Sequence, residues 1–162
     1  MKVTVDILFA KNDRIGSRLI CKFTDHLRKY IKRQRVPSHV ALLVNGRWVH
    51  ESTKDCGVRV ISLKKWQKQY TEIARCRYTD CCQYDTIKSL YKYIRGKKYD
   101  WPGVIYLGYR VLLNRWFNCP IPKTNKYNRE DRFFCSEVIG KLRSVDYSMA
   151  TPVDIMSKTS YR

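Results

Sequence analysis

An apolar run followed by a tight turn constrains the fold of this chain more than any other feature. The run His39–Val44 contains β-branched and aliphatic residues and begins with a histidine, and Asn45-Gly46 follows it directly. An Asn-Gly pair between two strand-like segments is the strongest short-range signal of a β-hairpin. Residues 47–52 return as the partner strand, so the sequence predicts an antiparallel hairpin with His39 at its open end.

Patterns on either side of the hairpin predict a small α+β domain. Further strands are expected over residues 3–9, 58–62 and 73–78, so that residues 40–78 form an antiparallel meander. Helices are expected from residue 15 to Pro37 and over residues 64–70, 84–95, 104–117 and 135–142. Residues 104–117 are apolar nearly all round, which predicts a buried helix. We therefore expect a small antiparallel sheet packed against helices in a single domain, residues 1–162, with a loose tail from about residue 156.

The charge of the chain indicates an anionic partner. The 162 residues carry a net charge of +19, and a hydrophobic content of 44% excludes a disordered polycation. Nucleic acid, a membrane surface and a cell-wall polymer all fit this charge, while a solvated helix face is the ordinary alternative. The candidate polyanion-binding residues on the predicted basic helix are Arg18, Lys22, Arg28, Lys29, Lys32, Arg33 and Arg35.

Signals for export, membrane insertion and cofactors are missing from the sequence. The N-terminus lacks the basic-then-apolar pattern of a secretory signal, and the longest apolar run is short and contains Arg110. Seven cysteines without such a signal favour a reducing compartment. Cys76, Cys81 and Cys82 do not have the spacing of a zinc site, and there is no Gly-rich phosphate loop. We expect a cytoplasmic protein without metal, cofactor or transmembrane segment, compatible with a bacteriophage protein that acts in the host cell or is carried in the virion.

A cysteine at a predicted helix start is the second feature that indicates chemistry. Cys135 follows two phenylalanines and opens the helix predicted over residues 135–142. A helix N-terminus and a neighbouring imidazole both stabilise a thiolate. His39 can therefore act as the base of a Cys135 nucleophile if folding brings the strand end to the helix start. The ordinary alternatives are a packing cysteine and a hydrogen-bonded polar histidine.

The hairpin supplies a candidate third group. A two-residue turn places Glu51 opposite Val40 and beside His39 at the same end of the sheet. A carboxylate in this position orients an imidazole and stabilises the imidazolium. His50 is the alternative. The face on which each side chain lies depends on the register, because a slip of one residue moves it to the other face.

The order of the motifs resembles that of the circularly permuted papain-like superfamily. The motifs are Ser-His-Val-Ala-Leu-Leu-Val, Trp-Val-His-Glu-Ser, Gly-Val-Arg-Val and a late Phe-Cys-Ser-Glu, and the resemblance covers residues 6–152. The superfamily includes the NlpC-type permuted hydrolases, the YiiX-like proteins, related poxvirus proteins and the lecithin–retinol acyltransferase branch. The Phe-Cys-Ser-Glu motif is more similar to the YiiX-like form than to the acyltransferase form, which has Asn before its Cys.

The resemblance implies a role for each residue of the proposed triad. Cys135 corresponds to the nucleophile, with its backbone N–H as an oxyanion donor, His39 to the base, and Glu51 to the residue that orients the base. The implied activity is that of a thiol hydrolase of the amidase or cysteine peptidase type. Its substrate would be a peptide, a cell-wall cross-link or a lipid ester. An acyltransferase or lipid esterase using the same residues is one alternative, and a non-enzymatic basic binding protein is another.

Overall fold

Five strands form one antiparallel sheet in the computed structural model, which describes residues 3–24, 36–78 and 84–159. The strands, in chain order, are β1 (Val5–Lys11), β2 (His39–Val44), β3 (Trp48–Thr53), β4 (Gly57–Ser62) and β5 (Thr71–Tyr78). The helices are α1 (Ile15–Thr24), α2 (Leu63–Gln67), α3 (Tyr84–Ile94), α4 (Trp101–Phe117), α5 (Cys135–Arg143) and α6 (Pro152–Thr159). The predicted α+β class, a small antiparallel sheet with helices in one compact unit, is confirmed.

The strand order is β4-β3-β2-β1-β5, so the prediction of a meander over residues 40–78 is wrong in its last step. The last strand pairs with β1 at the far side of the sheet instead of with β4. Two features explain the difference. Helix α2 lies between β4 and β5 in the chain and carries it across the sheet, and β1 is buried from Val5 to Ala10, which suits a strand paired on both edges.

The turn between β2 and β3 is one residue longer than the Asn-Gly signal predicts. Residues 45–47 form the turn, with positive φ angles of 51° at Asn45 and 64° at Gly46. Asn45 is fixed by the chain before β1, because its N–H donates to the Thr4 carbonyl (2.8 Å) and its side-chain oxygen accepts from the Thr4 N–H (3.1 Å). The three-residue turn shifts the register, and Leu42 lies opposite His50.

The two faces of the sheet bury different clusters. One face carries alternate residues of β1 and β2, including Ile7, Phe9 and Leu42, and packs against residues of α3 to α6. The other face carries Leu8, Ala41 and their neighbours beneath Trp66 of α2. Alternation along each strand therefore decides whether a side chain meets the helical layer or the smaller cluster around Trp66.

Two predictions about the later helices are wrong. Helix α4 buries only Gly103, Leu107 and Val111, while Ile105 is 66% exposed and Phe117 69% exposed, so it is not a buried helix. The expected loose tail is ordered to residue 159, because α6 places apolar side chains in the core. None of the described helices is both long and apolar enough to cross a membrane.

Candidate active site

The observed register places Glu51 on the same face of the sheet as His39. Residues opposite each other in an antiparallel pair share a face, and His50 lies opposite Leu42. Glu51 is therefore on the face of Ala41, and His39, two residues before Ala41, is on that face as well. The register expected from a two-residue turn would have put Glu51 and His39 on opposite faces. The extra turn residue is what allows the two side chains to meet.

Glu51 and His39 are joined by a short buried hydrogen bond. His39 Nε2 lies 2.7 Å from Glu51 Oε2, and the Glu51 side chain is fully buried. Trp66 Nε1 donates to the same carboxylate oxygen at 3.1 Å. Arg59 donates to the other oxygen from Nε (2.8 Å) and Nη2 (2.6 Å). Burial alone would raise the pKa of Glu51, but His39 and Arg59 outweigh it and hold that pKa below its ordinary value.

Cys135 completes the group as the first residue of α5. The thiol lies beside His39 and interacts with its imidazole. Because Nε2 of the imidazole is occupied by Glu51, the other ring nitrogen, Nδ1, is the one left for the thiol. Burial alone would lower the pKa of His39, but the bonds and charges of Cys135 and Glu51 raise it well above its ordinary value of 6.5. This direction favours the imidazolium form of His39.

Aromatic stacking fixes the plane of the imidazole. The ring of Tyr70 lies parallel to that of His39, with 4.7 Å between centroids and an interplanar angle of 11°. Trp66 also stacks on the tyrosine, with 5.2 Å between the ring centroids. Trp66, which donates to Glu51, therefore also packs on the Tyr70 ring that stacks on His39.

The segment before Cys135 is attached to both the sheet and the chain before α4. Ser52, next to Glu51 on β3, donates its hydroxyl hydrogen to the Phe133 carbonyl. The Phe133 N–H donates to the Lys98 carbonyl at 3.0 Å. Glu137 closes the first turn of α5 by accepting from the Phe134 N–H at 2.9 Å. These bonds set the position of the helix start relative to β3, and with it the position of the thiol.

A cleft of about 790 Å³ opens over His39 and Cys135. The charged side chains of Arg14, Asp55 and Arg59 contribute to its lining. The part of its lining that α1 and α4 supply is mostly apolar: Leu19, Ile20, Phe23, Val104, Leu107, Val111 and Leu112. An extended apolar group can therefore enter with one end at the thiol.

The structure does not bring every predicted candidate to this site. His50 lies on the opposite face, where its ring meets Tyr91 edge-on at 5.1 Å, and burial lowers its pKa to about 4. Of the candidate polyanion-binding residues, Arg18 and Lys22 are exposed on α1. The others, Arg28, Lys29, Lys32, Arg33 and Arg35, lie outside the described residues, as do Cys81 and Cys82. Within the described ranges, no three His, Cys, Asp or Glu side chains are grouped to hold a metal ion.

Sequence reasoning missed three residues that support the triad. Arg59 lies directly opposite Glu51 on β4, and a correct register would have found it. Trp66 donates its indole N–H to Glu51, a contact between two elements that no local pattern indicates. Tyr70 follows a short helix in the chain and stacks on His39 only through tertiary packing, so no local pattern indicates its role.

Glu137 of α5 predicts a pH dependence of stability. Burial raises its pKa from 4.5 to about 8, against the opposing bond from the Phe134 N–H. Because the folded pKa is the higher one, the folded state holds the proton more tightly, and this group lowers stability as pH rises from 4.5 to about 8. We expect Glu137→Gln to reduce the loss of unfolding free energy between about pH 5 and about pH 8 by about 1 kcal/mol or more, measured by urea denaturation. Replacement of the exposed Glu130 by Gln is the control, and an unchanged pH slope in Glu137→Gln would contradict the assignment.

Comparison with protein-family models, with curated proteins and with solved structures finds no match to this chain.

Proposed function

We propose that this protein is a cysteine-dependent acyl hydrolase in which Cys135 is the nucleophile, His39 the base and Glu51 the residue that orients the base. One observation carries the proposal. The buried His39 is hydrogen-bonded to Glu51 and interacts with the thiol of a helix-start cysteine, where a cleft opens. A nucleophile, a base and a group that orients the base, in contact in this order, define a triad. The motif order similar to that of the permuted papain-like superfamily supports the same roles.

The proposed reaction proceeds through a thioester. His39 holds the proton from Cys135, and the thiolate sulfur forms a bond to the substrate carbonyl carbon. The carbonyl oxygen takes the negative charge, and the Cys135 backbone N–H at the start of α5 is positioned to stabilise it, an effect of about 3–4 kcal/mol for one donor. The imidazolium returns the proton to the leaving group as the carbonyl–leaving group bond breaks. Water, deprotonated by His39, then cleaves the thioester and restores the thiol.

The lining of the cleft favours an aliphatic acyl group. Between α1 and α4 the walls are leucine, isoleucine, valine and phenylalanine side chains. Each methylene that they remove from water contributes about 0.8 kcal/mol. A fatty-acyl ester or thioester therefore fits the cleft better than a peptide or cell-wall amide, whose polar backbone would lose hydrogen bonds to water there.

A series of p-nitrophenyl esters tests the proposal. We expect kcat/KM to rise roughly tenfold or more from the acetyl to the octanoyl ester, because the longer chain buries more apolar surface. An acyl adduct on Cys135 should appear by intact-mass spectrometry under rapid quench, and Cys135→Ala should remove both adduct and turnover. Cys119→Ala, at a half-buried cysteine outside the cleft, is the matched control. Turnover that survives Cys135→Ala would overturn the triad, whereas equal rates for all chain lengths would overturn only the substrate class.

A further inference from the structure

Exposed apolar side chains concentrate on one side of the molecule. The described residues include eleven large hydrophobic side chains that are exposed, and seven of them lie on α1 and α4. These seven, which we call the α1–α4 apolar face, are Ile15, Leu19, Trp101, Ile105, Tyr109, Trp116 and Phe117. The two helices are in contact, and Arg115 Nη1 of α4 donates to the Lys22 carbonyl of α1 at 2.6 Å. The seven side chains therefore lie on two neighbouring helices.

The spacing on α4 aligns this surface along the helix. Trp101, Ile105 and Tyr109 recur every four residues, and Trp116 follows seven residues later, which places all four on one side of an α-helix. The buried residues of the same helix, among them Leu107, lie on another side. Helix α4 thus has a core-facing side and a second apolar side that no described part of the chain covers. Apolar patches of this kind mark an interaction site.

The charges around this face are cationic. The sequences of α1 and α4 contain no Asp or Glu, while Arg18, Lys22 and Arg115 are exposed on them. Among the acidic residues near the starts of these helices, Asp13 is exposed, Asp100 is buried as the N-cap of α4, and Asp55 Oδ2 lies 3.0 Å from Arg14 Nη1. Basic side chains around tryptophan, tyrosine and aliphatic residues are the composition that binds an anionic lipid surface. Nucleic acid would use the cations but would leave Ile105 and Phe117 in water, so the observations favour lipid.

We propose that the α1–α4 apolar face docks on the surface of an anionic phospholipid bilayer. Leu19 and Trp101 belong both to this face and to the wall of the cleft, so docking places the mouth of the cleft against the lipid. The apolar side chains enter the boundary between headgroups and acyl chains, and the arginine and lysine side chains contact the phosphate layer. The docking does not depend on the proposed triad, and it is tested on a protein that lacks the nucleophile.

Vesicle flotation with the full-length Cys135→Ala protein tests this proposal. We expect binding to vesicles of phosphatidylcholine mixed with phosphatidylglycerol, weaker binding to phosphatidylcholine alone, and a decrease at high salt. Trp116→Ser and Ile105→Ser should each weaken binding to the mixed vesicles by roughly tenfold, because a large apolar side chain no longer leaves water. Trp48→Ser is the matched control, since Trp48 is an exposed tryptophan on β3, outside this face.

Several results would overturn the docking. If Trp116→Ser and Ile105→Ser leave vesicle binding unchanged, the interaction depends on charge alone or on another surface. The same conclusion follows if Trp48→Ser weakens binding as much as they do. Equal affinity for both vesicle types would remove the anionic requirement. Absence of vesicle binding would also overturn the docking. If the protein then self-associates in sedimentation and Trp116→Ser abolishes this, the face is a contact between two copies of the chain. The ester assay remains a separate test, because it measures turnover of a substrate in solution.

Discussion

Replacement of His39 by alanine should lower kcat/KM for ester hydrolysis by about 10²–10⁴-fold, the contribution of a positioned general base. The loss follows from the position of the imidazole, which is hydrogen-bonded to Glu51 and interacts with Cys135. Without the ring, the thiol loses both its proton acceptor and the positive charge that stabilises the thiolate. The rate is measured with the octanoyl ester, and the far-ultraviolet circular dichroism of the variant shows whether it is folded.

His50→Ala is the matched control for His39→Ala. His50 is also a histidine of the hairpin, but it is half-buried and lies on the other face of the sheet against Tyr91. We expect its replacement to leave kcat/KM within about threefold of the unmodified protein, within the range of minor packing changes. Equal losses in the two variants would show that the assay reports damage to the hairpin and would contradict the role of His39.

Replacement of Glu51 by alanine should lower the free energy of unfolding by about 3–5 kcal/mol, the cost of removing one partner of a buried ion pair. The carboxylate is fully buried and accepts from Arg59 and Trp66 as well as bonding His39. Its removal leaves the guanidinium, the imidazole and the indole N–H without this acceptor. Urea denaturation gives the free energy. Glu72→Ala is the control, because the Glu72–Arg75 pair is at the surface and such pairs contribute about 0–1 kcal/mol.

Glu51→Gln separates catalysis from stability. The amide keeps the size of the carboxylate but loses its charge, so His39 is oriented less well and its imidazolium is not stabilised. We expect a loss of kcat/KM approaching 10⁴-fold, as for the corresponding change in a serine protease triad, with a smaller loss of stability than in Glu51→Ala. A Glu51→Gln protein with full activity would exclude Glu51 from the mechanism.

The pKa directions at this site predict where the pair stabilises the fold. Glu51 has a lowered folded pKa, so its contribution is present above 4.5 and is lost as pH falls through the folded value. His39 has a raised folded pKa, so its contribution is complete below 6.5 and is lost as pH rises through the folded value. Both contributions are complete between pH 4.5 and pH 6.5, and the pair stabilises the folded state most in this interval. The difference in unfolding free energy between the unmodified protein and Glu51→Gln should be largest in that interval.

Local patterns predicted the elements that carry the site better than the contacts between them. The apolar run gave β2 with the observed bounds, and the Cys135 helix starts at the expected residue. The register was wrong by one residue because the turn length depends on bonds between Asn45 and Thr4, which are distant in sequence. The pairing of β5 with β1 was also not predicted, because these two strands are distant in sequence.

Helix α4 shows a different limit of sequence reasoning. Its apolar residues surround the axis, and periodicity alone predicts a buried helix for such a pattern. Only the tertiary structure shows that one side is covered by the core and that the side with Ile105, Tyr109 and Trp116 is exposed. The exposed apolar side of α4, which made the prediction of a buried helix wrong, supports the proposed membrane surface.

Site-resolved alkylation of the seven cysteines tests the central claim most directly. The protein is treated with limiting iodoacetamide at neutral pH, and the labelled peptides are quantified by mass spectrometry over time. Exposure alone predicts that the exposed Cys56 reacts faster than the buried Cys135. The Cys135–His39–Glu51 triad predicts the reverse, with Cys135 labelled fastest and its advantage lost in His39→Ala. Labelling in the order of exposure, with Cys135 among the slowest, would contradict the account.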